Sequence, residues 1–124
     1  MKSLSQYIQE KLIIKKRNYK YFPKTKGELR KIIEQRIEQE GNEVNLNDID
    51  VSEITNMYAL FSYLDFNGDI STWDVSKVIN MESMFHGCTL FNQDISSWDV
   101  SKVKYKVDIF GKCPIEDKYK PKFR

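Results

Sequence analysis

A string of thirteen residues returns with two changes in this chain of 124. Phe66-Asn-Gly-Asp-Ile-Ser-Thr-Trp-Asp-Val-Ser-Lys-Val78 returns as Phe91-Asn-Gln-Asp-Ile-Ser-Ser-Trp-Asp-Val-Ser-Lys-Val103. A degenerate earlier copy runs from Leu46 through Asp50-Val-Ser-Glu-Ile54. Asp-Val-Ser begins at 50, 74 and 99, and Phe61, Phe85 and Phe110 keep the same spacing of 24 or 25. Met57 pairs with Met81, Lys106 breaks that position in the third copy, and Cys88 recurs as Cys113. A period of this length makes each copy one unit that cannot bury its apolar side alone, so the copies must stack.

Each copy has two readable arms. Phe91 and Ile95, set among polar Asn92, Gln93, Asp94 and Ser96, suit a short extended strand. Val78, Met81, Met84, Phe85 and Cys88 follow the three-to-four spacing of a helix, which predicts one or two turns of α- or 3₁₀-helix. An Asp/Ser corner and the Gly87-Cys88 corner join the arms. The Phe-Asn-x-Asp-Ile-Ser-x-Trp-Asp-Val-Ser-x-Val-x-Asn-Met-x-x-Met-Phe pattern resembles the repeat of BspA-like leucine-rich-repeat proteins, over about residues 46–113. That resemblance implies a solenoid with an adhesion or protein-binding role, and it carries over no catalytic residue. The expected fold is an α/β solenoid: a short leucine-rich-repeat-like stack of about three coils with a helical N-terminal cap.

The ends read as caps, dividing one folded unit into 1–44, 45–113 and 114–124. Thr25-Lys-Gly-Glu28 fits a capping box, Leu29, Ile32, Ile33 and Ile37 form one stripe, and Gly41 closes a helix at about 26–40. Ser3 or Ser5 caps a shorter helix to about Lys11, with Leu4, Tyr7, Ile8 and Leu12 turned inward. In the tail, Ile115 and Tyr119 are expected to lie over the last coil.

The net charge of +2 conceals a segregation: +8 over residues 1–31, −11 over 32–101 and +5 over 102–124. Fields of this kind steer partners. No run of about 18 apolar residues exists, which argues against a membrane-spanning helix. Met1–Lys11 lacks the continuous apolar stretch of a secretory leader, so a cytoplasmic location is expected, or a surface one if a leader has been removed.

Few residues suggest chemistry. The stacked Asp50, Asp74 and Asp99, with Asp69 and Asp94, form the acidic face proposed for partner binding; their simplest role is to close turns by accepting hydrogen bonds from the backbone two residues on. Cys88 and Cys113 occupy successive coils, as a reduced ladder or, given the spacing of stacked strands, a disulfide. Neither they nor the lone His86 completes a metal or catalytic set, so no cofactor is expected. Trp73 and Trp98 align with Ile49 in a single ladder. The leading expectation is a non-catalytic protein-binding module, such as a small bacterial or phage-encoded inhibitor or adaptor, present as a monomer or weak homo-oligomer. One alternative is a nucleic-acid binder using Lys15, Lys16, Arg17, Lys20, Lys24 and Lys26 with Tyr19 and Tyr21. Another is a structural subunit of a larger assembly.

Overall fold

Two helices precede the repeats: α1, Leu4–Arg17, and α2, Lys26–Glu40. The computed structural model describes residues 2–123, and of residues 11–17 the backbone alone. Ser3 opens α1 reciprocally with Gln6: Ser3 Oγ accepts from the Gln6 amide at 3.2 Å, and Gln6 Oε1 accepts from the Ser3 amide at 3.0 Å. The helix runs on past Lys11, where the sequence suggested it would stop. Its apolar stripe does not turn inward as expected. Leu4, Tyr7 and Ile8 are 74%, 53% and 48% exposed, and the side chain of Leu12 lies outside the described residues. The end of the repeats that α1 was expected to cover is filled by α2.

In α2, Thr25 Oγ1 accepts from the Glu28 amide at 3.2 Å, while Glu28 Oε2 accepts from the amide of Lys24, one residue before the cap. Gly41, at φ 93°, ends the helix with its N–H donated to the Ile37 carbonyl. Leu29 and Ile33 are fully buried, and Ile32 and Ile37 pack partly against the same core. Arg36, also buried, donates to Glu40, to Asp48 Oδ1 at 2.9 Å and to the Asn45 carbonyl at 3.3 Å. Burial opposes its charge, but its hydrogen bonds to Asp48 and Glu40, with their negative charge, more than offset that and raise its pKa.

The expected α/β solenoid is not what the chain forms. No strand or sheet occurs among the described residues, only isolated parallel bridges at Tyr21–Ile49, Asn56–Asn80 and Asn80–Tyr105. Nor is the Val78–Cys88 arm a helix; it is a series of turns. The cause is the division of amide donors. Within one arm the N–H groups of Met84, His86 and Cys88 close turns on Met81, Ser83 and Phe85. The alternate N–H groups of Met81, Ser83, Phe85 and Gly87 leave the arm and donate to Tyr105, Val107, Ile109 and Gly111 of the next copy, at 2.8–3.1 Å. A helix keeps every interior amide for itself. Left-handed residues at Ala59 and Tyr63, Ser83 and Gly87, and Asp108 and Lys112 interrupt each arm at matching places. Strands fail for a related reason between the copies: Asn56 and Asn80 side chains take the amides of Tyr58 and Glu82, so the bridges at Asn56 and Asn80 stop after one residue.

The three copies therefore stack by turns, and the core runs through them as columns. Phe61, Phe85 and Phe110 stack at centroid distances of 5.2 and 5.7 Å, beside Phe66 and Phe91 at 6.0 Å. Trp73 and Trp98 lie 6.3 Å apart with planes 3° from parallel, in line with buried Ile49. Each indole N–H finds a carbonyl of the preceding copy, Trp73 to Leu46 at 2.9 Å and Trp98 to Ile70 at 3.1 Å. Gly68, where the next copy has Gln93, is needed by a close approach: a Cβ there would stand 1.9 Å from the Val44 carbonyl oxygen. The tail extends the stack. The amide of Ile95 donates to Tyr119, Asn92 Oδ1 accepts from Glu116, and Ile115 is buried.

Candidate functional site

The aspartates of the proposed acidic face all sit where the chain turns, and all are engaged there. Asp50, Asp74 and Asp94 accept the amide and hydroxyl of Ser52, Ser76 and Ser96, with hydroxyl contacts of 2.6 Å. Asp69 and Asp99 accept the amides of Ser71 and Ser101. The Ser71 amide, with help from Asn47 and the Ser71 hydroxyl, holds the Asp69 carboxyl below the usual range. The Ser96 hydroxyl and amide do the same for Asp94, with Lys118 adding its charge. Asp69 and Asp94 border a shallow recess of about 260 Å³ whose other walls are Ser71, Gln93, Ser96 and Ser97. Two carboxylates, hydroxyls and an amide can take up cationic or hydrogen-bonding groups there. Among the described residues no set of three or more His, Cys, Asp or Glu is placed to hold a metal ion.

The basic aromatic segment is dispersed among structural tasks. The Arg36 guanidinium stands 5.2 Å over the half-buried Tyr21 ring. Tyr19 packs edge-on to Phe22 at 6.4 Å. The Lys20 and Tyr21 amides donate to Asp48, and Lys26 Nζ lies 5.1 Å over Tyr58. The Lys20 and Lys24 side chains are exposed. The side chains of Lys15, Lys16 and Arg17 fall outside the described residues.

Both cysteines are free thiols. Cys88 Sγ donates to the Phe61 carbonyl at 2.9 Å, and Cys113 Sγ to the Phe91 carbonyl at 3.6 Å. Burial, then the neighbouring Cys113, pushes the Cys88 thiol up to about 12, and burial raises Cys113 as well. These are unreactive groups. His86 Nδ1 lies 2.6 Å from Asp108 Oδ2, a close contact without the alignment of a hydrogen bond, and its ring meets Tyr63 edge-on.

Two residues escaped the sequence reading and decide how the first copy ends. Arg30 Nη1 donates to the carbonyls of Ala59 at 3.2 Å, Leu60 at 3.0 Å and Ser62 at 3.4 Å. Leu60 and Ser62 correspond to Met84 and His86, whose carbonyls accept amides from the preceding copy. One guanidinium thus replaces the amides of an absent coil. Arg36, further along α2, ties the helix to the 45–48 turn. Only the register of both with Leu29 and Ile33 on α2 could have hinted at this.

Compared with known proteins, residues 28–117 match the family model described as a Mycoplasma protein of unknown function, DUF285. The chain belongs to that family. It is a repeat family related to the BspA-like proteins, and its match takes in α2 from Glu28 onward, all three copies and the start of the tail. No curated protein and no solved structure matches the chain. No helix among the described residues is long and apolar enough to cross a membrane.

Proposed function

We propose that this DUF285-family chain is a non-catalytic protein-binding module, an inhibitor or adaptor that presents its acidic corners to a basic partner surface. The recess between Asp69 and Asp94 carries this reading. It places two carboxylates, both held in the charged form, on the outside of successive copies, within a segment of net charge −11. The likeness to adhesive BspA-like repeats supports the same class of function. Both indoles, both thiols, Arg30 and Arg36 are occupied in building the stack.

Affinity capture from cell lysate, with nuclease treatment and washes at low and high salt, tests this. The comparison variant is Asp69→Asn/Asp94→Asn, which keeps each turn acceptor and removes the charge. A protein retained by the native chain after nuclease and lost by the variant is the expected result. Recovery of nuclease-sensitive nucleic acid alone would contradict it and favour the Lys20–Lys26 segment.

A further inference from the structure

Every junction in the stack is made the same way, which fixes what the last copy offers to solvent. Amides of Met57, Ala59, Phe61 and Tyr63 donate to Asn80, Glu82, Met84 and His86 at 2.8–2.9 Å. Amides of Met81, Ser83, Phe85 and Gly87 donate to the third copy in the same way. By the same register the amides of Asp108, Phe110 and Lys112 point away from the second copy, and they donate to no described residue. Backbone amides aligned in this sense form a row of partial positive charge with no acceptors of its own. The same copy carries exposed Lys102, Lys104 and Lys112, in a segment of net charge +5. Val107 and Tyr105, 71% and 54% exposed, supply apolar contact along the same arm.

We infer that this edge of the last copy binds an extended acidic segment of a protein partner, whose backbone carbonyls take the place that a following copy would fill. The inference rests on the binding-module reading and names a second kind of contact for it. Carbonyls complete the donor row at the spacing the arm already uses, and the lysines select acidic side chains on either side. A second copy of this chain fits the row poorly, because the matching carbonyls of its first coil are held by Arg30 under α2.

The test uses the whole chain and a fluorescein-labelled (Glu-Val)₄ peptide, with (Lys-Val)₄ as control. Amide NMR should show the Asp108, Phe110 and Lys112 signals moving and gaining exchange protection with the acidic peptide only. Lys102→Glu/Lys104→Glu, at exposed sites, should weaken anisotropy binding about tenfold or more at low salt and leave the near-ultraviolet circular dichroism unchanged. Equal binding of both peptides, or perturbation elsewhere with these three amides unmoved, would overturn the inference. If a captured lysate protein depends on Asp69 and Asp94 while these amides stay unmoved, this inference falls and the binding-module reading stands. Self-association replacing peptide binding on sedimentation would also overturn it.

Discussion

The two ends of the stack are built from the same repeat and finished in opposite ways. At the first copy, α2 lays Leu29 and Ile33 over the core and Arg30 answers the outward carbonyls. At the last copy, a 3₁₀ turn at Asp117–Tyr119 and the buried Pro121 cover part of the core, and the amides of Asp108, Phe110 and Lys112 donate to no described residue. Phe61 is fully buried under the first cap, whereas Phe110, in the same column, is half-buried with Lys120 Nζ 5.4 Å from its ring. A repeat that makes identical junctions leaves unlike surfaces at its two ends, carbonyls at one and amides at the other. Sealing one therefore does nothing for the other.

Truncating the aromatic column should give the largest effect. Phe61→Ala is expected to destabilise by about 4 kcal/mol and Phe110→Ala by about 2 kcal/mol, because only the first leaves a closed cavity. Denaturant midpoints would check this, and equal losses would remove the distinction between the ends.

Arg30 comes next. Arg30→Ala should cost about 2–3 kcal/mol by leaving part-buried carbonyls without donors. Lys104→Ala, an exposed change at the open end, should stay within about 0.5 kcal/mol. A negligible loss at Arg30 would mean that solvent serves the first coil's carbonyls as well.

Left-handed positions sharpen the comparison on a smaller scale. Gly87 has φ 74° and an added Cβ would lie 2.5 Å from Tyr63 Cδ1, so Gly87→Ala should destabilise by about 1–2 kcal/mol. The equivalent residue at the open end, Lys112, has φ 55° and is exposed, and Lys112→Gly should raise the thermal midpoint slightly. A loss of stability on Lys112→Gly would show that its side chain makes contacts worth more than the relieved strain.

The turn carboxylates should have the smallest effect. Asp69 and Asp94 have lowered pKa values in the folded chain. The stability they contribute is thus complete above the ordinary carboxylate range and is lost as pH falls through their folded values. Acid titration followed by tryptophan fluorescence should show a shallower decline for Asp69→Asn than for the native chain, and identical slopes would contradict that linkage.

How much of this was legible depended on whether a side chain's job is local. Thr25, Glu28 and Gly41 announce α2 because caps act within four residues. The aspartates read as turn formers for the same reason, and the Phe and Trp columns followed from period alone. The arm misled because Val78, Met81, Met84, Phe85 and Cys88 have helical spacing, yet a succession of three-residue turns also returns side chains to one side every three or four positions. Which amides would leave the arm for a neighbouring copy is a property of the stack and leaves no mark in one copy's pattern. Nothing local marked Arg30 and Arg36, since the carbonyls they serve lie 9–32 residues away. The stripe of Leu4, Tyr7 and Ile8 predicted burial that depends on a vacant apolar surface, and α2 had already taken it.

Amide hydrogen exchange resolved by residue would separate the sealed first end from the open last one. Strong protection is expected at Phe61, Tyr63, Phe85 and Gly87, whose amides bridge copies, and fast exchange at Asp108, Phe110 and Lys112 in the isolated chain. Comparable protection at all seven would contradict it, because the last copy would then be sealed like the first.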